Sequence, residues 1–269
     1  MRSGLSSGRL VFFGAGGGAE HFCTQTGERP DFFVDNDPEK WGEKFLGIQI
    51  LPPEHVLAMD VERILITSGD VGSILSQLQK MGVPTEKVEI PPKYLLGNPT
   101  IFSRVENRKS AAETLFSLMT IPKLPASVVA LGGAALGFCR ESDFILWDCD
   151  VDLIAPLQGR DQIATYARSR DWQIVETEKN ILCEVILGES ERLPVSFVFY
   201  DLNCPIYIDT FDTYEWKWPI KMFTECEVIE IHGFKLNVPG DSENYLKQVY
   251  GESWRVPRKD FSYLDYAPT

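Results

Sequence analysis

Between residues 148 and 152 every second position is an aspartate: Asp148, Asp150 and Asp152 alternate with Cys149 and Val151 inside the segment FILWDCDVDLIA. Residues two apart on an extended strand face the same side. The apolar start and the alternation therefore predict one strand over 144–155 with three carboxylates crowded on one face. Like charges at that spacing repel, so a counter-charge is required. Magnesium takes oxygen ligands, keeps several of its waters and bridges to phosphate, so one or two protein carboxylates are enough to hold it. Manganese accepts the same oxygen donors.

Upstream stands VVALGGAALGFCRESDF, which reads as a strand ending in Gly132-Gly133, then a helix, then the acidic strand. A glycine pair at a helix start lets backbone approach phosphate oxygens, and this order matches the nucleotidyltransferase fold. The stretch LGGAALGFCRESDFILWDCDVDL resembles the LicD family, which includes the fukutin-related proteins. The residues in step are Gly132, Gly133, Leu136, Gly137, Arg140, Trp147, Asp148, Asp150, Val151 and Asp152. The closing VPGDSENYLKQVYGESWRVP resembles the same family through Pro239, Tyr245, Leu246, Tyr250, Gly251, Trp254 and Pro257, so the likeness spans about residues 128–260.

That resemblance implies a metal-dependent transferase. It would move phosphocholine or a polyol phosphate from a CDP-linked donor to a sugar hydroxyl of a glycan or lipid-linked acceptor, in cell-surface polysaccharide or lipopolysaccharide biosynthesis. It implies metal ligands at Asp148, Asp150 and Asp152, with Mg2+ or Mn2+ as the ion, and phosphate contacts at Gly132, Gly133 and Arg140. The family also places a third carboxylate in a later strand. Alignment on LPVSFVFYD puts Ser196 there, whereas IYIDTF offers Asp209 in a similar local context. Asp150, Asp152 and Asp209 are the catalytic candidates. Without that third acid, the alternative is a noncatalytic donor-binding or scaffold protein on a degenerate fold.

Near the N-terminus, RLVFFGAGGGAEHF reads as a strand, a glycine turn and a helix start. Gly14 to Ala19 fits GxGxxA, and Asp35 ends the next strand 21 residues after Gly14. In dinucleotide-binding folds such glycines admit a pyrophosphate and such an acid takes ribose hydroxyls. Gly14, Gly16 and Asp35 are therefore the cofactor-binding candidates, for NAD or another nucleotide. Only about four strands follow, half of a full dinucleotide fold. The stretch DFFVDNDPEKWGEKFLGIQILPPE resembles small Rossmann-like modules of surface-polysaccharide and nucleotide-sugar biosynthesis, where ligand binding and docking are both open roles.

PPKYLLGNPT, with three prolines and a glycine, interrupts the alternation of strands and helices. The expectation is a Rossmann-like α/β module over 1–95 with a parallel sheet, then an α+β nucleotidyltransferase-fold domain over 96–269. A net charge of −13 with no basic block argues against nucleic acid as a partner. The six cysteines form no CxxC pair, which favours free thiols over zinc or disulfides. No run approaches a membrane span, so a cytoplasmic protein is expected, with peripheral membrane association open.

Overall fold

The computed structural model describes residues 8–98, 100–187, 191–211 and 214–266. The chain forms two compact units. One runs to Gly97 and also includes Lys259–Asp265; the other comprises Asn98–Arg258 with Tyr266.

In the first unit, β1 (Arg9–Phe13), α1 (Gly17–Thr26), β2 (Phe32–Val34), β3 (Lys44–Phe45), β4 (Ile48–Leu51), α2 (His55–Ala58), β5 (Val61–Ile66), α3 (Val71–Lys80) and β6 (Val88–Glu89) follow in order. The sheet order is β3-β4-β2-β1-β5-β6, parallel throughout except for the β3–β4 hairpin. A central parallel strand is covered on both faces, which explains why RLVFF is an unbroken apolar run. Val11 and Phe13 face one core with Ile64 and Ile66. Phe12 faces the other, edge-on to Phe22 at 5.4 Å and to Phe33 at 6.0 Å between ring centroids. Each such ring, fully buried, contributes about 2–3 kcal/mol.

The second unit carries α4 (Val105–Met119), β7 (Val129–Ala130), α5 (Gly132–Glu141), β8 (Val151–Pro156), α6 (Arg160–Ser169), β9 (Gln173–Glu176), β10 (Asn180–Leu187) and β11 (Glu191–Tyr200). Two hairpins follow, β12 (Ile206–Phe211) with β13 (Tyr214–Pro219), then, after α7 (Lys221–Thr224), β14 (Glu227–Ile231) with β15 (Phe234–Val238). Helix α8 (Ser242–Tyr250) comes last. The main sheet runs β7-β8-β11-β10-β9, with β8 parallel to β11 and the other pairs antiparallel. Strand alternation sends Val151, Leu153 and Ala155 into one core. Ile154 goes into the other, with Tyr200, Trp216, Trp218, Tyr245 and Leu246. Asp152 shares the Ile154 side and is exposed.

The strand expected over 144–155 begins only at Val151. The apolar start is satisfied by helix packing instead of by a sheet. Phe144 stacks on Phe102 at 4.5 Å and meets the Phe138 edge at 5.1 Å, and Ile145 is buried in the second core. The Asp148 N–H then donates to the Ile145 carbonyl at 3.0 Å and closes a turn. Asp148 and Asp150 thus stand in the loop that leads into β8. Asp143 anchors that loop, accepting from Arg108 Nε at 3.0 Å and pairing with His232 Nε2 at 2.9 Å. Among the described residues, no helix is long and apolar enough to cross a membrane.

Candidate active site

The glycine pair and the acids meet at the start of α5. Gly132 takes φ +53, a left-handed conformation that favours glycine, while the Leu131 N–H donates to the Asp152 carbonyl at 2.8 Å. A Cβ on Gly132 would sit 3.3 Å from Asp152 Oδ2, and one on Gly133 would overlap the Asp148 carboxylate. The absent side chains are what admit the two acids. No side chain on the preceding residue caps α5, so its first turn faces the acids with backbone N–H donors.

Asp148, Cys149 and Asp150 each offer one ligand atom, and these atoms lie within 4.8 Å of one another. The Cys149 N–H also holds Asp148 Oδ1 at 3.1 Å. This differs from the expected trio. With Asp148 and Asp150 off the strand, the third donor in the cluster is a thiol, and Asp152 stands apart against Gly132. Two carboxylates in one cluster fit a hard divalent cation such as Mg2+ or Mn2+.

Ser196 lies directly beside Asp152 in the parallel β8–β11 register, so a hydroxyl occupies the neighbouring-strand position. Asp209 sits on β12 opposite Trp216. Burial pushes its carboxyl up to about 6 against the Trp218 indole N–H, which pulls it down. That N–H faces the carboxyl without a well-formed hydrogen bond. Asp209 and Asp152 both act on one group, the Tyr245 phenol, whose oxygen accepts the Gly132 N–H at 3.0 Å. Sequence reasoning matched Tyr245 to the family's closing segment and gave it no role at this site.

Arg140 lies eight residues beyond Gly132 on α5, about 12 Å along the axis, where Glu141 Oε1 takes its Nη2 at 2.6 Å and the Trp254 carbonyl takes its Nη1 at 3.3 Å. Its side chain is 8% exposed. A guanidinium committed in this way, at the far end of the helix, is a strut between α5 and the closing segment.

In the first unit, Gly14, Gly16 and Asp35 line a cavity of about 450 Å3 together with Lys40, Ser68 and Tyr263. A Cβ on Gly16 or Gly17 would meet nothing within 4 Å, so the start of α1 is open. Asp35 is only 8% exposed. Its Oδ2 accepts the Ala15 N–H at 2.9 Å and Lys40 Nζ at 3.0 Å, and its Oδ1 accepts the Asp37 N–H at 2.9 Å. Burial alone would raise this carboxyl, but those donors outweigh it and hold it below its ordinary value. Asp35 thus anchors the glycine loop.

Solved structures resemble parts of the chain at low similarity. UDP-D-quinovosamine 4-dehydrogenase from Vibrio fischeri is 22% identical over 30% of this chain and 73% of that one, with a TM-score of 0.24. ANT(2")-Ia in complex with adenylyl-2"-tobramycin is 16% identical over 49% and 68%, with a TM-score of 0.33. The lincosamide antibiotic adenylyltransferase LnuA, lincomycin-bound, is 8% identical over 50% and 80%, with a TM-score of 0.32. No curated protein matches the chain. Residues 127–241 match the family model for the LicD/FKTN/FKRP nucleotidyltransferase domain.

Proposed function

We propose that the second unit is a metal-dependent phosphotransferase. It takes a phospho-substituent, phosphocholine or a polyol phosphate, from a CDP-linked donor and places it on a sugar hydroxyl of a glycan or lipid-linked acceptor. The observation that carries this reading is the meeting of Gly132, Gly133, Asp148, Asp150 and Asp152 at the start of α5 within a LicD-type domain.

Each group has a task there. The Gly133 and Ala134 N–H groups at the α5 start receive phosphate oxygens, since Tyr245 already takes the Gly132 N–H. Asp148 and Asp150 would hold Mg2+ or Mn2+, which when bound would neutralise the diphosphate. Asp209 takes the proton of the acceptor hydroxyl. The freed oxygen forms a bond to the donor's distal phosphorus, and the bond from that phosphorus to the bridging oxygen breaks. Its electron pair leaves with CMP.

Ser196 beside Asp152 supports a second reading, a noncatalytic donor-binding protein. Isothermal titration of CDP-choline, CDP-ribitol and CDP-glycerol, with and without magnesium, on wild type and on Asp150→Ala with Asp152→Ala, tests the donor site. Metal-dependent binding lost in the double variant supports it, and absence of binding by any donor rejects both readings. Turnover with candidate sugars then separates transferase from scaffold. The glycine-loop cavity of the first unit suits a phosphate-bearing ligand at Gly16 and Gly17; the same titration with NAD tests for a dinucleotide.

A further inference from the structure

We infer that Tyr245 is a positioning residue for this reaction: from α8 its hydroxyl pins the Gly132 turn and so sets the start of α5 against Asp152. The consequence for turnover rests on the transferase reading, whereas the pinning itself rests on the geometry of the chain.

Tyr245 is 2% exposed. Its oxygen accepts the Gly132 N–H at 3.0 Å across 113 positions of sequence, and its ring lies 5.0 Å from that of Trp218. A helix start normally finds its partners on its own preceding residues. Here a distant helix supplies one, and the turn it holds is the one that abuts an acid, since a Cβ on Gly132 would sit 3.3 Å from Asp152 Oδ2. Burial first, and then Asp209, raise the phenol well above its ordinary value, so it stays protonated. Asp152 and Tyr266 also act on it, and the Tyr250 hydroxyl lies on the same side of Gly132.

Tyr245→Phe keeps the ring and removes only the oxygen. In the full-length protein without substrate, the Gly132 amide should then exchange with solvent about tenfold faster. With donor and acceptor present, kcat should fall about tenfold or more while donor KM stays within about twofold. A merely structural tyrosine would lower the melting temperature and leave kcat of the folded enzyme in place. Unchanged Gly132 exchange overturns the pinning, whatever the substrate. Altered exchange with unaltered kcat overturns the positioning role. If the wild type binds no CDP-linked donor, the functional reading falls while the pinning is still decided by Gly132.

Discussion

Burial lifts the Asp209 carboxyl from its ordinary 3.8 to about 6, so the native state binds this proton more tightly than the unfolded chain does. Between those two values stability falls as pH rises, because the folded state must give up a proton that the unfolded state has already lost. Above pH 6 the ionised group costs up to about 3 kcal/mol. Asp209→Asn should therefore melt higher than wild type at pH 7.5, and the advantage should shrink as pH falls from 6 to 4. As base, the same carboxylate must be ionised, so kcat/KM should drop below about pH 6 and the Asn variant should lose turnover at every pH. A denaturation series across pH, set beside the rate profile, checks both halves. Gly133 gives a second test. An alanine there would overlap the Asp148 carboxylate, and Asp148 is also held by the Cys149 N–H. Gly133→Ala should weaken Mn2+ binding, measured by titration, about tenfold or more, the scale of losing one oriented ligand.

Helix α1 shows how one glycine run holds two different constraints. A Cβ on Gly18 would overlap the Thr67 carbonyl oxygen, a backbone atom that cannot swing aside, whereas one on Gly17 would meet open space. Gly18→Ala should push α1 off the end of β5 and cost about 1–3 kcal/mol. Gly17→Ala should be neutral or stabilising by up to about 1 kcal/mol, since alanine is the better helix former. Thermal denaturation of the two variants separates them. Sequence pattern carried this unit well because its strands alternate with helices at short range. It carried β10 too, where Ile181, Cys183, Val185 and Leu187 are buried at every second position. It failed over FILWDCDVDLIA because Phe144 is buried by Phe102 and Phe138, so apolar alternation there records helix packing and not a strand. The partners of Arg140, Glu141 and the Trp254 carbonyl, are ordinary in composition and invisible to spacing. The Gly132–Tyr245 bond spans 113 positions, and no local period reports a contact of that length.

Taken whole, the chain leaves its first unit at Gly97, builds the second, and returns to the first at Lys259. The return segment is tied in by specific contacts. The Phe261 carbonyl accepts the Lys93 N–H at 3.0 Å, Lys93 Nζ lies 5.0 Å from the Tyr263 ring centroid, and Lys259 Nζ lies 4.7 Å from that of Tyr94. Tyr263 also lines the glycine-loop cavity. Three residues later Tyr266 belongs to the second unit, 6.0 Å from the Trp216 ring and 5.8 Å from that of Tyr250. Two nearby tyrosines therefore report on different cores. In full-length protein, Tyr263→Ala should lower the protection of β1 and β5 amides against exchange by about 1–3 kcal/mol and leave β8 and β11 unchanged. Tyr266→Ala should do the reverse. Residues three apart are close enough to couple, so the double variant measures how far the two effects depart from their sum. If either single change lowered protection in both units alike, the two cores would be opening as one cooperative body, and the division at Gly97 would be geometric without being energetic.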